Sequence, residues 1–318
     1  MKALCFRGFG GPEVLRLEAL PDPTPGPGEA LIRTRAIGLN FADVYRRKGH
    51  YHLAGEPPWI AGYEAAGVVE AANGGALGPG ARVAFADSPF ANAELVAVPF
   101  EKLIPLPDDI PFDTAAALLL QGLTAQYLVR DSHPLKPGEQ VLVHAAAGGV
   151  GLLLVQIAKL LGARVCALVS SEAKRAAALE AGADAARLYS GDWVQEALAW
   201  SGGGVDVAFD SVGSTLPQSF AAVRKGGRVV FFGMAGGDPE PVDPRMLMDT
   251  SKSLTGGDLW NVLSSREARV ARAGELFGWV RSGALKVRIA RTFPLGEGAA
   301  AHAFLEGRGA IGKVLLIP

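Results

Sequence analysis

A glycine-rich turn near the middle of the chain carries the strongest chemical signal in the sequence. The segment EQVLVHAAAGGVGLLLVQIAKLLGARVCALVSS predicts a buried strand, a tight turn, an apolar helix and a second strand. It is close to the dinucleotide fingerprint, with Ala146 where the first glycine is usual and Gly148 and Gly151 at the remaining spacing. Gly148 lets the backbone approach a pyrophosphate, and Gly151 lets the helix pack on the strand. Because the helix N-terminus also offers free N–H groups, this segment predicts a dinucleotide site.

The end of the second strand indicates which dinucleotide fits. An acidic side chain there would accept the ribose hydroxyls of NAD. The chain instead has Ser170 and Ser171, with Lys174 one turn into the next helix. Hydroxyls and a cation suit a 2′-phosphate, so NADPH is the predicted cofactor. The alternative, in which Ser170 caps the helix and Lys174 is solvated, stays open, and an inward Glu172 would repel a phosphate.

The elements around the turn predict a parallel sheet with helices on both faces. From about residue 111, long apolar helices alternate with short apolar runs. Strands are predicted at 140–145, 164–169, 186–189, 205–210 and 228–232. This alternation is typical of a doubly wound α/β domain of the Rossmann type.

The two ends of the chain have a different sequence pattern from the middle, with short apolar runs between prolines and glycines. Runs at 14–20, 30–37, 65–71, 82–85 and 92–98 predict an antiparallel sheet or partial barrel, and FADVYRRKG a short helix. After a predicted helix at 264–282, VRIARTF and KVLLIP read as strands on either side of a helix in GEGAAAHAFLEG. We therefore predict a mainly β domain from 1–115 and 284–318, interrupted by the dinucleotide domain at 116–283.

Composition narrows the class of ligand. The 31 Lys and Arg residues nearly balance the 32 Asp and Glu residues, which gives no electrostatic basis for binding nucleic acid or an anionic membrane. Cys5 and Cys166 lie in apolar runs and are expected to be core thiols. The start MKALCFRGFG lacks the zones of a signal peptide. We expect a soluble, cytoplasmic protein with a small-molecule ligand.

Several motifs together resemble one family. They are AIGLNFADVYRRKGHY, PWIAGYEAAGVVEA, LLQGLTAQYLV, HAAAGGVG, VSSEAKRAAALEAGAD, DSVG and GKVLLIP, in that order. With them the chain is similar over essentially its whole length to the zinc-free quinone oxidoreductases, the zeta-crystallin-like family of the medium-chain dehydrogenase/reductase superfamily. The resemblance implies a Rossmann domain inserted in a GroES-like partial barrel that carries the catalytic site, NADPH as cofactor, and a homodimer formed through the segment 242–255.

The same resemblance assigns residues to the cofactor. Those that would line the nicotinamide side are Phe41, Ala42, Asp43, Tyr45, Thr124 and Tyr127. Those that would meet the pyrophosphate are Gly148, Gly149 and Val150. The 2′-phosphate would be surrounded by Ser170, Ser171, Lys174, Tyr189 and Arg308, and the nicotinamide ribose bordered by Ser211, Val212, Phe232, Gly233 and Met234. In the alternative, Tyr189 simply ends a strand and Arg308 is a surface cation.

A catalytic zinc is not expected. Related alcohol dehydrogenases present a Cys in the segment matching GLNFAD and a His in the segment matching GYE, where this chain has Asn40 and Tyr63. A neutral amide and a phenol are poor zinc ligands. His50 and His52 lack cysteine or carboxylate support and are expected to be polar surface residues.

Without zinc, the acceptor has to be electrophilic already, such as a quinone or an α,β-unsaturated ketone or aldehyde that receives hydride. We hypothesise that Asn40 and Tyr45 hydrogen-bond the developing oxyanion or the nicotinamide ribose. Equally open is a structural reading, with Asn40 as a helix cap and Tyr45 packed on the cofactor.

Two other functions stay open on the sequence alone. An enoyl-thioester reductase would need a phosphate-binding patch, for which Arg46, Arg47 and Lys48 are available, although the ordinary reading of that run is a solvated helix face. A non-catalytic protein that binds NADPH in a structural or regulatory role is the alternative from a different class.

Overall fold

The computed structural model describes residues 1–51 and 55–318, so His52 lies outside the described residues. The chain forms two compact units. Unit 1 contains Met1–Leu120, Leu263–Trp279 and Val287–Pro318, and unit 2 contains Gln121–Val262 and Val280–Lys286. The sequence placed 263–279 in the middle domain, whereas the structure groups this segment with unit 1. A buried ion pair within unit 1, between Arg269 and Asp87 at 2.7 Å, contributes to this grouping.

The first part of unit 1 is built from short strands and one short helix. Its strands are β1 (Lys2–Phe6), β2 (Arg16–Ala19), β3 (Glu29–Leu39), β4 (Trp59–Ile60), β5 (Glu64–Asn73), β6 (Arg82–Phe85), β7 (Leu95–Pro99) and β8 (Ile104–Pro105). Helix α1 (Phe41–Arg47) follows β3 directly. The long strands β3 and β5 pair antiparallel, from Glu29 opposite Asn73 to Gly38 opposite Glu64. This pairing brings the start of α1 next to the start of β5.

Unit 2 contains a six-stranded parallel sheet. Its strands are β9 (Gln140–Val143), β10 (Arg164–Val169), β11 (Ala185–Leu188), β12 (Val205–Asp210), β13 (Val223–Phe231) and β14 (Ser253–Gly256). Their order in the sheet is β11-β10-β9-β12-β13-β14. The helices are α2 (Phe112–Tyr127), which begins in unit 1, and α3 (Gly149–Leu160), α4 (Glu172–Glu180), α5 (Trp193–Ser201), α6 (Leu216–Ala222), α7 (Pro244–Thr250) and α8 (Leu259–Val262). The predicted α/β fold class is confirmed.

The sixth strand of this sheet was not predicted. β14 consists of Ser253–Gly256, and its residues are exposed or half-buried. An edge strand of this kind lacks the continuous apolar run that identified β9, β10 and β12, all of which are almost fully buried.

The C-terminal segment from Val287 to Pro318 belongs to unit 1. Helix α9 (Arg266–Arg281) precedes it, and it forms strand β15 (Ile289–Pro294), helix α10 (Gly298–Glu306) and strand β16 (Lys313–Ile317). β16 pairs antiparallel with β3, with Val314 opposite Leu39, and parallel with β15. The last strand therefore starts beside the end of β3, where α1 begins. Among the described residues, no helix combines the length and apolar character that crossing a bilayer requires.

Candidate active site

The glycine-rich turn of unit 2 connects the end of β9 to the start of α3. Gly148 is the N-cap of α3, with φ −72° and ψ 176°, and Ala145 before it has a φ of +46°. The Gly148 N–H donates to the Ala145 carbonyl at 2.8 Å, which closes the turn. The first-turn amides of α3, from Gly149 onward, have no acceptor within the helix by geometry and carry the positive end of its dipole. The turn thus has the elements that hold a diphosphate.

Two glycines of the turn are closely packed, and one of them, Gly151, is packed against backbone atoms that cannot rotate away. A Cβ on Gly151 would lie 2.7 Å from the Cα of Ala146 and would also overlap the carbonyl oxygen of Ala145. A Cβ on Gly149 would overlap the side chain of Gln121, which packs against the start of α3. The predicted packing role of Gly151 is confirmed, whereas Gln121 was not anticipated. Its position as a polar residue in the apolar run LLQGLTAQYLV was the available signal.

Hydroxyl groups and a lysine meet at the end of β10. The helix cap is Ser171, whose Oγ accepts from the Lys174 N–H at 3.4 Å, so the alternative that assigned the cap to Ser170 is wrong. Ser170 and Ser171 are exposed, and Lys174 is half-buried. Glu172 lies 3.4 Å from Arg175 on the exposed surface of α4. Binding of a 2′-phosphate by Ser170, Ser171 and Lys174 stays a prediction.

Tyr189 is directed at the glycine-rich turn from the end of β11. Its hydroxyl oxygen accepts from the Ala145 N–H at 2.9 Å and lies 3.2 Å from Nδ1 of His144. The ring also packs against Trp193. Tyr189 therefore stabilises the glycine-rich turn through its hydroxyl group, a role that was not predicted from the sequence. Its contact with the 2′-phosphate stays a prediction.

His144 belongs to a buried hydrogen-bond chain across three strand ends. Its Nε2 lies 2.9 Å from Ser219 Oγ, and Ser219 Oγ donates to Asp210 Oδ2 at 2.6 Å. Since the Ser219 proton goes to Asp210, His144 Nε2–H donates to Ser219, and Nδ1 accepts from Tyr189. Burial lowers the pKa of His144, which keeps the ring neutral as this direction requires.

Asp210 anchors the turn after β12. Its Oδ1 accepts from the N–H groups of Val212 at 2.8 Å and Gly213 at 3.1 Å. Burial alone would raise the pKa of Asp210. Contacts with His144, Ser219 and these amides outweigh burial and hold the pKa of Asp210 below its usual range. In the sequence, Asp210 stood out only as part of the DSVG motif. The partners His144 and Ser219, 75 positions apart, had no local signal.

The turns after β12 and β13 lie side by side, which brings the predicted ribose-binding residues together. The Ala235 N–H donates to the Ser211 carbonyl at 3.0 Å, and the Gly236 N–H to the Val212 carbonyl at 2.8 Å. All of these residues are half-buried, as are Phe232, Gly233 and Met234. Thr124 and Tyr127, on α2, are buried in the same unit.

A buried charged cluster in unit 1 surrounds Asn40. Lys313 Nζ donates to Glu64 Oε2 at 2.5 Å and to Asn40 Oδ1 at 2.7 Å. Asn40 Nδ2 donates to Glu64 Oε2 at 2.9 Å and to the Gly38 carbonyl at 3.1 Å. Glu64 Oε1 accepts from the Leu120 N–H at 2.6 Å. Asn40 is thus committed to this cluster on both sides of its amide, and the structure does not favour it as a donor to an acceptor molecule.

Asp43 begins α1 together with Asn40. The Asn40 N–H donates to Asp43 Oδ2 at 2.7 Å, and the Asp43 N–H to the Asn40 carbonyl at 3.1 Å. Asp43 is buried, and its Oδ1 has no hydrogen-bond partner in the described part of the chain. Its side chain therefore caps the helix, and the structure gives it no surface for the predicted contact with the nicotinamide.

The buried carboxyl of Asp43 makes a testable contribution to the pH dependence of stability. Burial raises its pKa from 3.8 to about 7, so the folded protein keeps a proton that the unfolded chain releases between these values. The stability due to the neutral carboxyl is present below the lower value and is lost as pH rises through the upper one. Between about pH 5 and about pH 8, we expect the urea unfolding free energy of D43N to fall less than that of the wild type. Parallel curves for the two proteins would contradict this assignment.

The exposed side of α1 carries aromatic rings. Phe41, Ala42 and Tyr45 are half-buried. Ring centroids are 6.1 Å apart for Phe41 and Tyr45, 6.1 Å for Tyr45 and Tyr51, and 6.3 Å for Tyr51 and Tyr63. These four residues form a continuous aromatic row within unit 1. Tyr63 is buried, whereas the half-buried rings of Phe41, Tyr45 and Tyr51 offer a surface that suits a flat apolar molecule.

The run Arg46, Arg47 and Lys48 is not the solvated helix face that was expected. Arg46 and Arg47 are buried, and only Lys48 is exposed. Arg47 donates to Glu306 at 2.6 Å and lies 3.2 Å from His302 Nδ1, so it ties α1 to α10. Arg46 and Arg47 therefore do not form the exposed basic patch that a phosphate-bearing carrier would need, so the structure does not favour the enoyl-thioester reductase alternative.

Arg308 is exposed in the turn after α10, with a φ of +56°. It belongs to unit 1, whereas Ser170, Lys174 and Tyr189 belong to unit 2. Its contact with the 2′-phosphate stays a prediction.

The residues around Asn40 do not fit a zinc ion. The ammonium of Lys313 lies 2.7 Å from Asn40 Oδ1, where a metal would be repelled by its charge. Burial raises the pKa of Tyr63 to about 12, so its phenol stays protonated. In the described ranges, no three His, Cys, Asp or Glu side chains come together as a metal site.

Comparison with known proteins finds family models that match two successive parts of the chain. The family model of the alcohol dehydrogenase GroES-like domain matches residues 26–137, and that of the zinc-binding dehydrogenases matches residues 149–272. A quinone oxidoreductase of Pseudomonas aeruginosa is 40% identical over 100% of this chain and 99% of its own. A 2-haloacrylate reductase of Burkholderia sp is 40% identical over 97% of this chain and 96% of its own. The solved structure of Escherichia coli quinone oxidoreductase complexed with NADPH has a TM-score of 0.96 and 36% identity, and the match covers 100% of both chains.

Proposed function

The chain belongs to the quinone oxidoreductase family of the medium-chain dehydrogenase/reductase superfamily, and we propose that it is a zinc-independent, NADPH-dependent reductase of quinones or α,β-unsaturated carbonyl compounds. The observation that carries this proposal is the tightly packed turn from Ala145 to Gly151, which opens α3 in the same way as a diphosphate-binding turn. A relative complexed with NADPH and relatives named for quinone and haloacrylate reduction support it.

The residues of unit 2 fit NADPH in three places. The amides of Gly149 and Val150 face the diphosphate position at the head of α3, and Ser170 with Lys174 offers hydroxyl and ammonium donors for a 2′-phosphate. The turn at Ser211 borders the nicotinamide ribose in this proposal. Bound NADPH supplies the hydride, so that the acceptor gains one hydride and one proton and NADP⁺ leaves.

We propose that Tyr45 hydrogen-bonds the oxygen on which negative charge develops. It is half-buried in the aromatic row, whereas the amide of Asn40 is occupied by Lys313 and Glu64. Asn40 is then a positioning residue, because it holds the start of α1 in place. The proton that completes the reduction comes from Tyr45 or from solvent.

Replacing Tyr45 by phenylalanine tests this role. We expect Y45F to lower kcat for an enone by about a hundredfold, since a donor aimed at a developing oxyanion has an effect of this size. The ring and its packing remain, so the Kd for NADPH measured by fluorescence titration reports whether the cofactor still binds. Wild-type kcat in a folded Y45F protein would remove Tyr45 from the mechanism.

The experiment that tests the proposed function is a spectrophotometric assay of NADPH oxidation. Purified protein is mixed with NADPH and either a benzoquinone or an enone, with and without a chelator, and the product is identified by mass spectrometry. We expect loss of NADPH absorbance with either acceptor, deuterium from labelled NADPH on a carbon of the reduced enone, and no effect of the chelator. Oxidation of NADPH that stops with the chelator would refute a zinc-independent reaction.

We propose that the protein is a homodimer formed through β14. This strand ends the sheet of unit 2, and nearby Met248 and Leu254 are 72% and 39% exposed. An edge strand flanked by apolar side chains is suited to pair with a second copy. We expect sedimentation equilibrium to give twice the chain mass for the wild type and the single mass for M248E/L254E. A monomeric wild type would exclude this interface.

We also propose a cytoplasmic location. Cys5 and Cys166 are free thiols, and burial raises the pKa of each to about 11. Such inert thiols and a nicotinamide reductant both suit a reducing compartment.

A further inference from the structure

Arg46 is a buried cation whose hydrogen bonds are incomplete. Its side chain is 2% exposed, and its Nε and Nη1 have no hydrogen-bond partner in the part of the chain that the structure describes. The guanidinium carbon lies 5.3 Å from the ring centroids of both Tyr63 and Phe90, and the guanidinium hydrogen-bonds Tyr63. Cation–π contacts compensate only part of the cost of burying an ion. Two guanidinium donors are therefore available for an acceptor that the chain does not supply.

The charges around α1 do not neutralise Arg46. The neighbouring cations Arg47 and Lys313 are each paired with a glutamate. The remaining carboxyl, Asp43, already accepts from the Asn40 N–H, and burial raises its pKa to about 7, so it carries only part of a charge at neutral pH. Asp43 makes no hydrogen bond to Arg46 in the part of the chain that the structure describes, so Nε and Nη1 keep their donors for an anionic ligand.

Phe90 covers the guanidinium from the side that is closer to solvent. Its ring is 44% exposed, and its backbone has a φ of +72°, a strained conformation for a residue with a bulky side chain. Tyr63, on the other ring face, is 2% exposed. Phe90 is thus the more exposed of the two rings, and a ligand would approach Arg46 from its side.

Arg46 also lies at one end of the aromatic row that begins at Phe41. The row passes from Phe41 through Tyr45 and Tyr51 to Tyr63, and Tyr63 is the ring beneath the guanidinium. A flat acceptor lying on the half-buried rings of this row, with its carbonyl near Tyr45, would therefore direct an anionic end group towards Arg46.

We propose that Arg46 is a specificity-determining residue that binds a carboxylate, so that the preferred acceptor is an α,β-unsaturated compound carrying a carboxylate group. This inference rests on the proposed function and names its substrate class. The carboxylate accepts from Nε and Nη1 in the paired geometry that guanidinium groups favour. Phe90 closes over the ion pair and keeps water away from it.

A matched pair of acceptors tests this inference. β-Acetylacrylate and β-acetylacrylamide have the same shape and differ in charge. We expect the wild type to have the higher kcat/KM for the carboxylate, and the ratio of the two kcat/KM values to fall about tenfold to a hundredfold in R46M. R46K, which keeps the charge but loses the paired geometry, should give an intermediate ratio. Equal ratios in wild type and R46M would overturn the proposal.

Two controls make the result specific. Arg291 also lies against two rings, 4.5 Å from Phe293 and 5.7 Å from Phe304, but on the exposed strand β15, and R291M should keep the wild-type ratio. A binding measurement independent of turnover uses the saturated analogues levulinate and levulinamide in calorimetry with the wild-type protein. We expect levulinate alone to bind, and equal binding of both would overturn the proposal even if R46M does not fold. Absence of NADPH oxidation with both unsaturated acceptors, by contrast, would refute the proposed function.

Discussion

Replacing Lys313 by methionine is expected to lower the free energy of unfolding by about 3–5 kcal/mol, the cost of leaving a buried charge without its partner. Lys313 and Glu64 are 1% and 0% exposed, and their ion pair measures 2.5 Å. Glu64 keeps the donors Asn40 and Leu120 in the variant, but these are neutral groups. Urea denaturation followed by circular dichroism measures the effect.

Two control variants separate charge burial from the loss of a side chain. In the double variant K313M/E64Q no unpaired charge remains, and we expect it to recover part of the lost stability. Lys159 forms an ion pair of similar length with Asp184, 2.9 Å, but both side chains are 33% exposed. K159M should therefore cost less than about 1 kcal/mol. A K313M variant no less stable than K159M would show that the buried pair does not stabilise unit 1.

Replacing Gly151 by alanine is expected to weaken NADPH binding about tenfold to a hundredfold, because the added Cβ displaces the backbone of the turn. It would overlap the Ala145 carbonyl and lie 2.7 Å from the Cα of Ala146, and backbone atoms cannot rotate away as a flexible side chain can. The amides that we propose to bind the diphosphate then lose their alignment. Calorimetric titration with NADPH measures the Kd.

The matched control for this prediction is another helical glycine with room for a methyl group. Gly274 in α9 is exposed, and nothing lies within 4 Å of a Cβ at this position. G274A should bind NADPH like the wild type and should be slightly more stable. If G151A bound NADPH as tightly as G274A, the assignment of the diphosphate to this turn would be wrong.

The sequence identified features that depend on local pattern. The strands β9, β10 and β12 were recognisable because a strand buried on both faces is a continuous apolar run. The turn at Gly148 was recognisable because its glycines recur at fixed spacing. The similar sequence pattern of the two chain ends suggested that the last part completes the N-terminal domain, and β16 pairs with β3, with Val314 opposite Leu39.

Features that depend on distant partners could not be read in this way. His144 and Ser219 form a hydrogen bond across 75 positions, and Lys313 reaches Glu64 across 249. No local spacing connects such residues. Arg46 and Arg47 show the same limit, since a basic run on a short helix is typical of a solvated face and only tertiary packing buries it. The edge strand β14 was missed because exposed polar residues give no strand pattern.

Asn40 illustrates how the structure decided between two open readings. The sequence left a helix cap and a catalytic donor equally open. The backbone of Asn40 forms a reciprocal cap with Asp43, and its side chain joins Lys313 and Glu64. Asn40 therefore holds the start of α1 in position, and Tyr45 remains the proposed hydrogen-bond donor to the acceptor oxygen.

Direct titration of the purified protein with NADPH tests most sharply whether the glycine turn of unit 2 binds the coenzyme's diphosphate. The account predicts saturable binding of one NADPH per chain, competition by 2′-phospho-ADP-ribose, and a weaker Kd in G151A. Absence of any NADPH binding by the folded wild-type protein, or binding that 2′-phospho-ADP-ribose leaves unchanged, would contradict it.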